Sequence, residues 1–267
     1  MKHSTRDGEI YYEVTGPEDA PVLVFTHGAG LNRHMFESQV RYFKDHFRCL
    51  TWDLPGHGDS YRLKENFKFT EMSHHIIGML DSIGAGKAIL VGQSMGSMIS
   101  QYTADLYPDR VEAIVSVGGS KLKTEKLSGF QRFMFMAMPL FFRMVPEKKF
   151  FYRISVSKAM TPGARKFYEE SLTKMGRSQF FFVWRGLMES FELGIDSPVS
   201  HPLLILHGEH DSPATLLDEA AQWHESSSDS RLVIIPGSGH NANMDAPEAF
   251  NRELEVFLNQ LAYKRET

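Results

Sequence analysis

The sequence has a single cysteine, Cys49, so no disulfide can close within the chain. Its neighbours Phe47, Leu50 and Trp52 are apolar, which suits a buried thiol more than a reactive one. Long hydrophobic runs are missing too. The most apolar stretch, Phe133 to Phe142, is interrupted by Pro139 and is too short to span a bilayer, so no stable membrane insertion is expected. The N-terminus, Met-Lys-His-Ser-Thr-Arg-Asp-Gly, lacks the apolar centre of a secretory signal, and a cytoplasmic location is the expectation. An excess of positive charge is also absent. The formal net charge is −4, which gives no general reason to expect nucleic-acid binding. There is no internal repeat and no low-complexity segment. Monomer and homodimer stay equally open.

What is present fits one α/β domain. With 267 residues the chain can bury a sizeable core and carry an inserted subdomain, but it is short for two independent domains. Ile10, Tyr12 and Val14 alternate with polar residues, as on a half-buried edge strand. The runs Val22–Thr26, Cys49–Asp53, Ile89–Val91, Val111–Val117, Leu203–Leu206 and Leu232–Ile235 are short, apolar and rich in β-branched residues. Such runs suit strands covered on both faces, as in a parallel sheet. Helical patterns lie between them. One covers 94–106 and stops before Pro108. The last has Pro247 in its first turn, capping-box spacing between Asp245 and Glu248, and Phe250, Leu254, Phe257 and Leu261 on one face. Strands alternating with helices predict a mostly parallel α/β sheet flanked by helices.

Residues 121–200 break the alternation and are read as a helical insertion, with 1–120 and 201–267 forming the core. The insertion holds 12 of the 20 Phe and 7 of the 14 Met. Its net charge is +7, against −11 for the remainder. The aromatic and Met content suits an apolar acyl or alkyl pocket, or simply the packing of the insertion onto the sheet.

Four post-strand segments carry chemistry. Gly92-Gln93-Ser94-Met95-Gly96 follows Ile89–Val91 and opens a helical pattern. A nucleophile on a sharp strand-to-helix turn needs space, and the two flanking glycines remove the Cβ atoms that would clash. His27-Gly28-Ala29-Gly30 follows Val22–Thr26 and can aim backbone N–H groups at a developing oxyanion; Ala29 and Met95 are the expected donor pair. His207-Gly208-Glu209-His210-Asp211 follows Leu203–Leu206. Its Asp211 can orient a histidine, although His207, His210 and Asp211 also look like metal ligands until Gly208 and the preceding strand argue against the helix that would gather them. Gly239-His240 follows Leu232–Ile235 and leaves an imidazole exposed between small neighbours. A serine hydroxyl needs a base to take its proton, and that base needs an acid to fix its tautomer. Ser94, Asp211 and His240 supply these roles, 117 and 29 positions apart. In an open parallel sheet, strand ends share one edge where they can meet.

Taken together, His27-Gly28-Ala29-Gly30, the segment Asp53 to Ser60, Gly92 to Gly96, His207 to Asp211 and Gly239-His240 resemble the α/β-hydrolase family. The resemblance covers about residues 20–120 and 200–260. It implies that 121–200 is a variable cap over the active site that sets substrate choice, and that His57 belongs to a structural loop. It also implies serine chemistry, because relatives acting on epoxides or haloalkanes carry aspartate at the position of Ser94. Many relatives have histidine where this chain has Gln93, a side chain that nucleophilic attack does not require. The expected activity is that of a carboxylesterase for short- to medium-chain or amphiphilic esters, with a small-molecule ester as partner and no metal or organic cofactor. A lactonase, thioesterase, carbon–carbon bond hydrolase or cofactor-free peroxidase would share the triad. A hydrolase-like ligand sensor is the alternative of another class.

Overall fold

The computed structural model describes residues 1–122, 143–195 and 200–266, together with Phe133 and Ala137. Most of the apolar Phe133 to Phe142 run lies outside the described residues. Eight strands form one sheet: β1 (Lys2–Ser4), β2 (Glu9–Thr15), β3 (Val22–Thr26), β4 (Arg48–Trp52), β5 (Ala88–Gln93), β6 (Val111–Val117), β7 (Leu203–Gly208) and β8 (Ser230–Ile235). Their order is β1-β2-β4-β3-β5-β6-β7-β8. The β1–β2 and β2–β4 pairs are antiparallel, and β4 through β8 run parallel.

Every residue of β3, β5 and β7 is buried, which is why these strands read as unbroken apolar runs rather than alternating ones. β2 does alternate, but it is not the edge. The short strand β1 covers it, pairing Lys2 to Tyr11 and Ser4 to Glu9. A polar Lys-His-Ser segment gives no hydrophobic signal, and its pairing rests on backbone bonds and on Lys2, which pairs with Glu9 at 2.6 Å and lies over the Tyr11 ring.

Among the described residues the helices are α1 (Glu37–Phe43), α2 (Phe69–Ser82), α3 (Met95–Leu106), α4 (Glu147–Lys158), α5 (Pro162–Met175), α6 (Arg177–Leu193), α7 (Thr215–Glu225), α8 (Ala242–Asp245) and α9 (Pro247–Glu266). Helix α9 begins at Pro247 as its sequence predicts, and Phe250, Leu254, Phe257 and Leu261 are all buried along one face. Each such side chain contributes roughly 1.5–3 kcal/mol by leaving water. The capping-box expectation for Asp245 is corrected. Its carboxylate accepts from Met160 N and Thr161 N instead, because those distant donors come within 2.9–3.0 Å.

Helices α4 to α6 lie between β6 and β7. Much of their aromatic content packs on itself. Phe150 meets Phe180 edge-on with ring centroids 5.5 Å apart, and Phe180 stacks on Trp184 at 6.4 Å. Among the described residues no helix is long and apolar enough to cross a membrane.

The sheet places the chemistry. β4 lies on one side of β3 and β5 on the other, so the winding direction reverses between β3 and β5. The crevice at the carboxyl ends of strands about such a reversal is where α/β sheets bind ligands. The segment after β3 carries Ala29, and the turn after β5 carries Ser94.

Candidate active site

Ser94 stands alone between β5 and α3 with φ 52° and ψ −113°. Among the described residues it is the one non-glycine residue with positive φ. Such backbone costs about 1–3 kcal/mol and persists only when its surroundings over-determine it. Here Ser94 N donates to Val117 O at 2.7 Å, while Ser94 O accepts from Ser97 N at 2.9 Å. The flanking glycines are dictated by contact. A Cβ at Gly92 would lie 2.3 Å from the Gly96 carbonyl, and one at Gly96 would lie 2.0 Å from Thr26 O. Ser94 Oγ makes no hydrogen bond to any described residue, so its hydroxyl is free to turn.

Asp211 and His240 come together, although His240 is buried and not exposed as its small neighbours suggested. His240 Nδ1 donates to Asp211 Oδ1 at 2.7 Å, and both side chains are buried. Ser212 N donates to the same oxygen at 2.7 Å. His207, fully buried, places its Nδ1 2.8 Å from Asp211 Oδ2 and its Nε2 3.2 Å from Gly119 O. Burial alone would raise the Asp211 pKa, but the hydrogen bonds from His207 and His240 outweigh it and hold the carboxyl below its ordinary value. His240 lies below the ordinary histidine value. Burial lowers it, the Asp211 hydrogen bond and charge pull it back, and Lys158 and His207 push it down again. Both His207 nitrogens are taken by protein oxygens, Asp211 Oδ2 and Gly119 O. Among the described residues no group of three or more His, Cys, Asp or Glu side chains is placed to hold a metal.

Gln93, set aside at the sequence level, links the two halves. Its Nε2 donates to His240 O at 3.1 Å and to Asn241 Oδ1 at 2.9 Å, tying the histidine loop to the residue that precedes Ser94.

The two expected oxyanion donors are Ala29 N and Met95 N. Neither donates to a described residue, and Met95 N opens α3, where a helix has N–H groups to spare. His27 and His57 lie beneath the Ala29 loop, fully buried, with ring centroids 4.8 Å apart. Each donates from Nδ1, His27 to Gly28 O at 2.8 Å and His57 to Pro55 O at 3.1 Å. Each accepts at Nε2, from Leu54 N at 3.0 Å and Gly30 N at 3.1 Å respectively. Burial pushes their pKa values down to about 4 and about 3, with the neighbouring His27 also lowering His57, so both are neutral.

Residues between β6 and β7 reach this centre in ways the sequence did not signal. Asp245 accepts from Met160 N, Thr161 N, Thr161 Oγ1 and Gly239 N, which joins the α4–α5 turn to the loop of His240. Lys158 Nζ donates to Ser212 O at 2.7 Å, beside Asp211. Tyr168 Oη donates to Ala29 O at 2.8 Å.

The family model described as alpha/beta hydrolase fold matches residues 21–172, more than half of the chain. The chain belongs to the alpha/beta hydrolase fold family. A bifunctional esterase/perhydrolase of Acinetobacter calcoaceticus is 24% identical to this alpha/beta hydrolase over 271 residues, covering 96% of this chain and 98% of the relative. A 3-oxoadipate enol-lactonase of Acinetobacter baylyi is 23% identical over 266 residues, covering 96% of each. Among solved structures, a thermophilic esterase from Thermogutta terrifontis superposes with a TM-score of 0.82 at 22% identity over 98% of both chains. In this alpha/beta hydrolase the neutral His27–His57 pair is held by backbone groups at all four ring nitrogens.

Proposed function

We propose that this protein is a serine hydrolase that cleaves carboxylic esters through an acyl-enzyme on Ser94, with Asp211 and His240 completing the triad. The observation that carries the reading is the 2.7 Å bond from His240 Nδ1 to Asp211 Oδ1, on a loop that Gln93 ties to the strained turn of Ser94. That bond leaves Nε2 as the basic nitrogen.

His240 Nε2 takes the Ser94 hydroxyl proton as Oγ attacks the ester carbonyl carbon. The carbonyl oxygen becomes an oxyanion and is met by Ala29 N–H and Met95 N–H. Collapse expels the alcohol, which leaves with the proton from His240. Water then attacks the acyl-enzyme by the same route and releases the acid. Asp211 holds the tautomer and stabilises the imidazolium at each step. Residues 121–200 serve as the cap that selects the ester.

The test is hydrolysis of p-nitrophenyl esters from acetate to palmitate. Multiple turnovers peaking at short or medium chains are expected. A folded protein with near-zero turnover on every ester would overturn the ester assignment. The pH profile adds a separate check. His240 must be neutral to act as base, and its pKa is lowered. Activity is therefore lost as pH falls through a value below the ordinary histidine pKa of about 6.5. The acid limb of kcat/KM is expected to have its midpoint below that figure. A midpoint above 7 would contradict the environment assigned to His240.

A further inference from the structure

We propose that Tyr168, on α5, is a positioning residue for the oxyanion donor Ala29, so that the helical insertion takes part in catalysis as well as in substrate choice. The proposal rests on the esterase reading of Ser94.

The argument begins with two successive peptide groups. In the peptide joining Gly28 to Ala29, the carbonyl turns inward and accepts from His27 Nδ1 at 2.8 Å and from Leu31 N at 3.3 Å. The C=O and N–H of a trans peptide point in opposite directions, so the Ala29 N–H is aimed away from His27. In the next peptide both ends are held. The Ala29 carbonyl accepts from Tyr168 Oη at 2.8 Å, and Gly30 N donates to His57 Nε2 at 3.1 Å. The histidines fix the loop from below and Tyr168 fixes it from the insertion.

The contact is tight. Gly30 has φ +80°, and a Cβ there would lie 2.4 Å from Leu172 Cδ2 and 3.1 Å from Tyr168 Cε2. A glycine at this position lets α5 close onto the loop, but it also leaves the backbone free to rotate unless hydrogen bonds hold it. Tyr168 is buried, and burial pushes its phenol pKa up, so the hydroxyl remains a donor at every working pH. Without that hydroxyl the partly buried Ala29 carbonyl loses its donor, and the loop has reason to move.

Losing an oxyanion donor outright costs around a hundredfold or more in rate. Loosening one costs less. Tyr168→Phe keeps the ring against Gly30 and removes only the donor. It is expected to lower kcat about tenfold and leave KM within about twofold, since the hole is used in the transition state. A trifluoromethyl ketone takes Ser94 Oγ at its carbonyl carbon as the hydroxyl proton passes to His240 Nε2, and its former carbonyl oxygen becomes an oxyanion in the hole. Its inhibition constant should weaken by the same factor. The acid limb of the pH profile should not move, because His240 is untouched, and the thermal melt should stay close to that of the parent.

An unchanged kcat and ketone affinity in folded Tyr168→Phe would overturn the proposal. So would a rise in KM alone, which marks a substrate contact, or a shifted acid limb, which marks an effect through His240. Full turnover in Ser94→Ala, run alongside, would instead bring down the underlying ester reading.

Discussion

Ser94→Ala is expected to lower ester turnover about a millionfold and leave the fold intact. The loss follows from the chemistry, since the removed oxygen is the atom that would carry the acyl group. The intact fold follows from the contacts. Ser94 Oγ holds no described residue, and the bonds that pin the turn, Ser94 N to Val117 O and Ser97 N to Ser94 O, belong to the backbone. Alanine meets the same conformational cost at φ 52° as serine does. Glycine does not, so Ser94→Gly should be equally inactive and yet more stable, by about 1 kcal/mol after its larger chain entropy is counted. Steady-state kinetics and thermal melts on the three proteins check both statements. Full activity in Ser94→Ala would sink the assigned nucleophile, and equal melting of the alanine and glycine variants would deny the strain.

The strands were legible because burial on both faces leaves a direct mark. β3 and β6 have the limits that the apolar runs Val22–Thr26 and Val111–Val117 predict. β1 left no mark, because Lys2–Ser4 is held by pairing and not by apolar burial. The capping-box reading of Asp245 failed for a related reason. Spacing reports local partners, and the carboxylate was taken by donors 84 and 85 positions away in sequence.

Ser94, Asp211 and His240, the proposed triad, stand out in the sequence because each sits just past a strand run, among glycines or acids that have little use in a core. The residues around them do not. Tyr168 meets Ala29 across 139 positions and lies in a segment whose sequence says only that it is helical and aromatic. His207 was weighed as a metal ligand on residue type. Only the fold shows that Asp211 and Gly119 occupy both of its nitrogens.

That second histidine shapes what Asp211→Asn should do. The variant is expected to lower kcat about a thousandfold, well short of the loss at Ser94. The carboxylate accepts on both oxygens: Oδ1 from His240 Nδ1 and Ser212 N, each at 2.7 Å, and Oδ2 from His207 Nδ1 at 2.8 Å. Asparagine keeps one oxygen and presents an NH2 group in place of the other. Ser212 N–H can only donate, so the amide oxygen belongs on the Oδ1 side. The NH2 group then faces His207 Nδ1, which can accept while Nε2–H donates to Gly119 O at 3.2 Å. His240 keeps its proton on Nδ1, and its Nε2 can still take the proton of Ser94. What disappears is the charge facing the imidazolium of the transition state. At about 4 Å and an effective dielectric constant of about 20 that attraction is roughly 4 kcal/mol, or about a thousandfold in rate. The opposite amide orientation would hand NH2 to His240, move its proton to Nε2 and cost about ten-thousandfold. Turnover of the asparagine variant, read with the His240 tautomer by nitrogen NMR, separates the two outcomes. A ten-thousandfold loss with the proton on Nε2 would mean that Ser212 and His207 do not govern how the proposed triad acid is held.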